Sequence, residues 1–106
     1  MNLILTKELK ELLQKLMVNP NGQSTIRELN LPYADENFFI YERDKKIYVE
    51  LPNAKISYFF MQGNYVSHYE LLRRIIYLNG VHIENGSVEN YEILKKSVQV
   101  LLKGEN

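Results

Sequence analysis

The sequence predicts a single α+β domain over residues 1–106, in which helices pack on a three-stranded antiparallel meander. Two observations support this fold class. Seven of the twelve aromatic residues fall within residues 37–61, where side chains alternate with the period of β-strands. On both sides of that stretch, apolar residues recur at the spacing of amphipathic helices. The predicted element order is α, short α, β, β, β, α, short β, α.

The first predicted helix begins after Thr6, whose hydroxyl can accept a hydrogen bond at the helix N-terminus. Its polar and apolar residues separate onto opposite sides at helical spacing. The segment from Val18 to Gly22 ends the helix, because it contains a proline and a glycine that do not continue one. The stripe expected to be buried comprises Leu5, Leu9, Leu12, Leu13, Leu16 and Met17.

A second, short helix is predicted to start at Thr25. Thr25 and Glu28 have the spacing of a capping box, in which each side chain bonds to the backbone N–H group of the other residue. Pro32 leaves room for about two turns, because proline lacks the N–H group that a helix interior needs. We therefore expect this helix to end at Leu29 or Asn30.

The register of the three strands follows from side-chain parity, because a shift of one residue sends every buried side chain to the other face. Pairing Ile40 with Val49 places a polar turn at residues 43–46. A second turn at residues 52–55 then sets Val49 opposite Tyr58. The face expected to form the core comprises Phe38, Ile40, Ile47, Val49, Leu51, Ile56, Tyr58 and Phe60.

The helix after the strands has the clearest N-terminal signature. Ser67 is placed as its N-cap and Glu70 completes a capping box, while Asn79 and Gly80 form its C-terminal stop. Ser67, His68 and Glu70 are also the residue types of a catalytic triad. Members of a triad usually come from separate segments, and an N-cap serine bonds to backbone N–H groups. We therefore interpret Ser67 as a cap.

The last part of the chain leaves two alternatives open. Residues 81–84 are predicted to be a short extended segment. Asn85-Gly86 then either turns a hairpin that returns through Val88, or precedes a helix that is capped by Ser87. The helical spacing of the apolar residues that follow favours a helix from Val88.

Composition argues against several kinds of functional site. The chain contains no cysteine and only two histidines, which disfavours disulfides, thiolate chemistry and a zinc site. Thirteen basic residues balance thirteen acidic ones, so net charge gives no support to non-specific nucleic-acid binding. No apolar run reaches the length of a membrane span, and the N-terminus lacks the pattern of a signal peptide. We expect a cytoplasmic protein without a cofactor, metal or catalytic residue.

The candidate functional site is the second face of the predicted sheet, which we call the aromatic face. A solvated sheet face should be polar, but this one is largely aromatic. Either a helix covers it, and the rings are core, or the rings are open and contact a partner. The aromatic face comprises Phe39, Tyr41, Arg43, Lys46, Tyr48, Glu50, Phe59 and Met61. Within it, Tyr41, Tyr48 and Phe59 are expected side by side and form what we call the aromatic row.

The function predicted from this surface is non-catalytic binding of a protein partner, as in a small regulator, inhibitor or adaptor, with self-association through the same face. Aromatic side chains on a rigid strand supply a large contact area at a small entropic cost. The chain is also rich in Asn, Lys, Ile and Tyr, which is common in AT-rich genomes. That composition suggests a phage or mobile-element source.

Two alternatives belong to other classes. Nucleic acid could stack its bases on the aromatic row and contact Arg43, Lys46 and Lys55 with its phosphates. The α-β-β-β-α order resembles that of double-stranded RNA binding domains, although residues 67–70 stand where that family carries a basic helix start. A small hydrolase or transferase centred on His68 or His82 is the third hypothesis.

Overall fold

The computed structural model describes residues 5–35, 38–51, 56–61, 63–84 and 87–103. It confirms the predicted α+β class. In the described residues, helices and strands follow the order α1 (Lys7–Val18), β1 (Gln23–Thr25), β2 (Tyr33–Ala34), β3 (Phe39–Arg43), β4 (Lys46–Leu51), β5 (Ile56–Met61), β6 (Tyr65–Ser67), α2 (His68–Leu78) and α3 (Val88–Leu102).

Helix α1 forms as predicted. The Thr6 hydroxyl accepts a hydrogen bond from the backbone N–H group of Leu9 at 3.2 Å, and the Thr6 carbonyl accepts one from Lys10 at 3.0 Å. These bonds satisfy donors that have no partner inside the helix. The buried residues of the predicted stripe are Leu9, Leu12, Leu13 and Leu16.

The predicted short helix is wrong, because the segment from Thr25 makes a single turn. The capping box itself forms: Thr25 Oγ1 accepts from the Glu28 N–H group, and Glu28 Oε1 accepts from the Thr25 N–H group, both at 3.0 Å. One turn later Asn30 adopts a φ of 58°, and the Leu31 N–H group donates to the Ile26 carbonyl at 3.0 Å. This is the arrangement that ends helices. The residues that start a helix and the residue that ends it therefore lie within a single turn.

The main sheet has four strands in the order β2-β3-β4-β5, all antiparallel to their neighbours. The predicted register is confirmed, since Val49 lies opposite both Ile40 and Tyr58. Asp44 and Lys45 form the first turn with φ of 54° and 63°, values typical of a two-residue hairpin loop. The second predicted turn, residues 52–55, lies outside the described residues. The sequence did not predict β2, which has only two residues.

A second sheet consists of β1 and β6, and neither strand was predicted. They pair antiparallel, with Ser24 opposite Val66. Each strand has three residues, too few for a period of two to be recognised. This small sheet leads directly into α2, because the residue after β6 is the first of the helix.

Helix α2 has its predicted N-cap, but the side chain of Glu70 contacts arginines instead of completing the capping box. The Glu70 N–H group donates to Ser67 Oγ at 3.3 Å, which confirms Ser67 as the N-cap. The Glu70 carboxylate does not complete the expected capping box, because it lies 2.7 Å from Arg73 and 3.3 Å from Arg74. Gly80 ends the helix with a φ of 92°. A side chain at that φ would be strained, so glycine is required there.

The predicted short strand at residues 81–84 is wrong. Side chains of α2 rather than a neighbouring strand bond to its carbonyl groups: Arg73 donates to Ile83 at 3.1 Å, and the Tyr69 hydroxyl donates to Glu84 at 2.7 Å. Residues 85 and 86 lie outside the described residues. Helix α3 starts at Val88 as predicted, with the Ser87 hydroxyl accepting from the Asn90 N–H group.

The core lies between the helices and one face of the main sheet. Helix α2 is central to it, because it contacts β4, β5 and β6 as well as α1 and α3. The sheet contributes fully buried side chains at Ile40, Ile47 and Val49, in agreement with the predicted core face. Among the described helices, none has the length and apolar character needed to cross a membrane. Helix α2 therefore packs on the core face of the main sheet.

Candidate protein-interaction surface

Strand pairing brings the predicted site residues onto one sheet face in three cross-strand rows. Tyr48 lies opposite Tyr41 on one side and Phe59 on the other. Lys46 lies opposite Arg43 and the position of Met61, and Glu50 lies opposite Phe39. The side chain of Met61 lies outside the described residues, as does Lys55. The face thus has a basic row, the aromatic row, and a row that contains Glu50.

The rings of the aromatic row stand against one another. The Tyr41 and Tyr48 ring centroids are 5.2 Å apart with their planes 10° from parallel. Tyr48 and Phe59 are 5.7 Å apart at 35°. Parallel rings at this spacing are too close to lie flat beside each other, so they overlap in an offset stack. Tyr48 therefore has a neighbouring ring on each side across the sheet.

The aromatic row is accessible to solvent. Phe59 is 50% exposed, and Tyr41 and Tyr48 are half-buried. On the other face of the same strands, Ile47 and Val49 are 0% exposed. The contacts of α2 with β4 and β5 account for that burial on the core face. Of the two alternatives left by the sequence, the exposure of Phe59 fits an open row rather than a covered one.

Two cations lie over the rings at one end of the face. The Arg43 guanidinium carbon is 5.1 Å from the Tyr48 centroid and 5.8 Å from that of Tyr41, and Lys46 Nζ is 5.0 Å from the Phe59 centroid. Like charges directly opposite in a sheet destabilise it, whereas a cation over a ring is attracted to it. Among the described residues, no carboxylate oxygen lies within 4 Å of either cation. This end of the face is therefore positively charged and open to an anionic group.

Glu50 interacts with the aromatic row from the opposite end. Partial burial raises the pKa of Tyr41 above its ordinary value, and the hydrogen bond to the Glu50 carboxylate raises it further. The hydrogen bond between the Arg43 guanidinium and the Tyr48 hydroxyl, together with the nearby tyrosines, raises the pKa of Arg43. The face thus carries charge of opposite sign at its two ends, with neutral phenols between them.

His68, one of the two histidines on which the hydrolase hypothesis depends, is buried, and both of its ring nitrogens have hydrogen-bond partners. His68 is 6% exposed; its Nε2 lies 2.6 Å from Ser24 Oγ, and its Nδ1 lies 2.7 Å from the Asn19 carbonyl oxygen. These contacts tie β1 and the end of α1 to the first residue of α2. We interpret His68 as a structural residue that satisfies buried polar atoms. The contact with Ser24 could not be predicted from the sequence, because β1 was not predicted.

The other histidine is on the surface. His82 Nε2 lies 3.3 Å from Glu84 Oε1, and the two side chains are 61% and 81% exposed. The His82 ring also lies edge-on to Tyr77, at 5.3 Å between centroids. A contact this exposed contributes little to stability. In the described part of the chain, no three histidine, aspartate or glutamate side chains are grouped so that they could bind a metal ion.

A cavity of about 410 Å³ lies between α1 and residues 29–35. Asp35 forms part of its wall, but its oxygens accept hydrogen bonds from the Tyr33 hydroxyl at 2.6 Å and the Phe38 N–H group at 2.9 Å. Burial and the bond to Asp35 raise the pKa of Tyr33 to about 12. These polar groups satisfy one another, and they fix the chain between the single turn and β3.

Comparison with known proteins gives no family for the chain, because no family model, curated protein or solved structure matches it.

Proposed function

We propose that this protein is a small non-catalytic interaction module, such as a regulator, inhibitor or adaptor, that binds a protein partner through the aromatic face. The observation that supports this most directly is the exposed Phe59 beside the stacked rings of Tyr41 and Tyr48. Large aromatic side chains on a rigid sheet are the residues that dominate protein interfaces. Stacking already restricts the conformations of these rings, so little of their side-chain entropy is lost when a partner binds them.

The arrangement of the rings supports a protein partner more than nucleic acid. Bases stack on a ring whose face is open. Tyr48, in the middle of the row, has Tyr41 and Phe59 against its two sides. Side chains of a protein can contact ring edges, whereas a base would need the neighbouring rings to separate first.

The charges of the aromatic face indicate what the partner presents. Arg43 and Lys46 form the basic end, and Glu50 lies at the other end. A complementary surface carries apolar side chains at its centre and a carboxylate at the position facing Arg43 and Lys46. In keeping with the composition, we place the protein in the cytoplasm of a cell that carries a phage or mobile element encoding it.

The test compares two exposed apolar residues of similar accessibility. Phe59 is 50% exposed on the aromatic face and Ile93 is 47% exposed on α3. Proteins that bind the immobilised wild type are quantified from lysates of bacterial hosts by mass spectrometry, alongside Phe59→Arg and Ile93→Arg. We expect to find a partner whose bound amount falls at least about tenfold with Phe59→Arg, because Phe59 would be a central interface residue. The amount bound by Ile93→Arg should be unchanged.

A parallel titration addresses nucleic acid. Fluorescence anisotropy with a labelled oligothymidylate is followed from low to high salt. We expect no binding at physiological salt. Binding that weakens steeply with salt would show contacts to phosphate and would replace the proposed function with the nucleic-acid alternative. If Phe59→Arg and Ile93→Arg bind the partner equally well, the aromatic face does not take part in the interaction.

A further inference from the structure

The two edges of the main sheet differ in how much backbone they leave unpaired. Strand β5 has six residues and pairs with β4 on one side, and in the part of the chain that is described it has no strand on the other side. Strand β2, at the opposite edge, has only two residues. Unpaired N–H and C=O groups along an edge are a template for another strand. The β5 edge is therefore the one that can accept a full strand.

The sequence of β5 contains none of the devices that protect sheet edges. Natural proteins use lysine, proline, bulges or very short strands to prevent edge-to-edge pairing. Strand β2 is short and follows Pro32 directly. Strand β5 reads Ile-Ser-Tyr-Phe-Phe-Met, with no charged residue, proline or glycine. Its β-branched and aromatic residues favour strand pairing.

We propose that β5 pairs antiparallel with β5 of a second copy of this chain, so that two four-stranded sheets join into one of eight strands. A two-fold axis brings the same surface of both copies together, and an uncharged strand can face itself without repulsion. The nearest cation on the aromatic face is Lys46 on β4. At about 4.8 Å per strand, the two Lys46 backbones would be at least roughly 14 Å apart, beyond the screening length of about 8 Å at physiological salt.

Side-chain parity requires the two-fold axis to pass through a residue position of β5 rather than between two positions. Facing residues in antiparallel strands point to the same side of a sheet, so an axis through one residue keeps the helices of both copies on the same side. Phe59 is near the middle of β5 and is exposed at the end of the aromatic row. With Phe59 on the axis, the rows of the two copies join into a single row of six rings. Ser57 then lies opposite the partner copy's position 61.

This dimer uses the strand edge and leaves the aromatic face free, so it does not rest on the proposed function. The first test is sedimentation velocity of the wild type over a wide concentration range. We expect a species of twice the 12.5 kDa chain mass that dissociates on dilution. Phe59→Lys places two like charges at the axis and is expected to weaken dimerisation at least about tenfold, since like charges opposite each other destabilise a sheet. A wild type that stays monomeric at millimolar concentration would overturn the proposal.

Single cysteines then locate the contact, because the natural chain has none. Cysteines bridge only when their Cα atoms are within about 7 Å. Under mild oxidation, Phe59→Cys is expected to form a covalent dimer much faster than Ile93→Cys, which reports random collisions. The double variant Ser57→Cys/Met61→Cys keeps Phe59 and is expected to cross-link as well.

Tyr41→Cys distinguishes edge pairing from a dimer in which the two aromatic faces stack on each other. Tyr41 lies two strands from the β5 edge, about 24 Å from its equivalent in an edge-to-edge dimer at the usual strand spacing. We expect no cross-link above the Ile93→Cys level. Cross-linking of Tyr41→Cys as fast as Phe59→Cys would mean that the two faces stack on each other, and would overturn edge pairing. Tyr41→Ala tests the proposed function separately, because it is expected to lose partner binding and keep the dimer.

Discussion

The same three strands present two faces that share an aromatic and aliphatic character but differ in what they contact. On the core face, Ile40, Ile47 and Val49 are 0% exposed and lie under the helices. On the aromatic face, Phe59 is 50% exposed and the tyrosines beside it are half-buried. Both faces carry large apolar side chains, but the aromatic face also carries Arg43, Lys46 and Glu50, and its rings are far less buried. The difference indicates that the core face contributes more to stability than the aromatic face, to which we assign the proposed binding.

The largest effect is expected on the core face. Ile47→Ala removes a side chain that is 0% exposed in the central part of the sheet. The lost burial and the cavity left behind should reduce the free energy of unfolding by about 2–5 kcal/mol. Urea denaturation followed by circular dichroism measures this. A loss below about 1 kcal/mol would show that the site is not packed as described.

An alkaline titration tests the contribution of Tyr33, on the core side of the sheet, to the free energy of unfolding. Tyr33 lies opposite Ile40 and edge-on to Phe38, and its pKa is raised from 10 to about 12. A raised tyrosine pKa stabilises the folded state at a pH below 10, and this contribution is lost as the pH rises from 10 through 12. We expect the free energy of unfolding to fall in that range, and less steeply in Tyr33→Phe. An unchanged slope in Tyr33→Phe would assign the alkaline loss to other groups.

A smaller effect is expected in the middle of the aromatic row. Tyr48→Ala removes ring contacts with Tyr41 and Phe59, and aromatic pairs of this kind contribute about 0.5–1.5 kcal/mol beyond burial. We expect Tyr48→Ala to reduce the free energy of unfolding by roughly half as much as Ile47→Ala, in the same urea experiment. Equal losses would mean that both faces are covered.

The smallest effect on stability is expected at the edge of the row. Phe59→Ala should reduce the free energy of unfolding by less than about 1 kcal/mol, because half of the side chain remains in water in the folded state. Ile93→Ala is the matched control on α3. Thermal unfolding of both variants, together with the binding assay, tests whether Phe59 affects binding far more than stability. A Phe59→Ala variant that fails to fold would place this ring in the core.

The register of the sheet could be predicted because parity constrains every position at once. Once Ile40 is set opposite Val49, and Val49 opposite Tyr58, all other pairs in β3, β4 and β5 follow. The caps at Thr6, Ser67 and Ser87 were also predictable, since each depends on a few neighbouring residues. Strands β1 and β6 were not, because their pairing depends on contacts between distant parts of the chain.

The membership of the candidate site could be predicted, but its accessibility could not. Parity places Tyr41, Tyr48 and Phe59 on one face. It does not say whether a helix also covers this second face, because an apolar helical stripe can pack on aromatic rings as well as on aliphatic side chains. Similarly, Thr25 and Glu28 carry a helix start signal that is correct locally. The left-handed conformation of Asn30 limits that segment to one turn, three residues before β2 begins.

The loop lengths of the two sheets bear on the order in which this protein folds. The β3–β4 hairpin closes through two residues, Asp44 and Lys45, and hairpins of this kind form within about 1–10 μs. The contact between Ser24 and His68 joins residues 44 apart and requires most of the chain to be in place. We therefore expect the Tyr41–Tyr48 stack to exist in early folding species, before the core has excluded water from the opposite face.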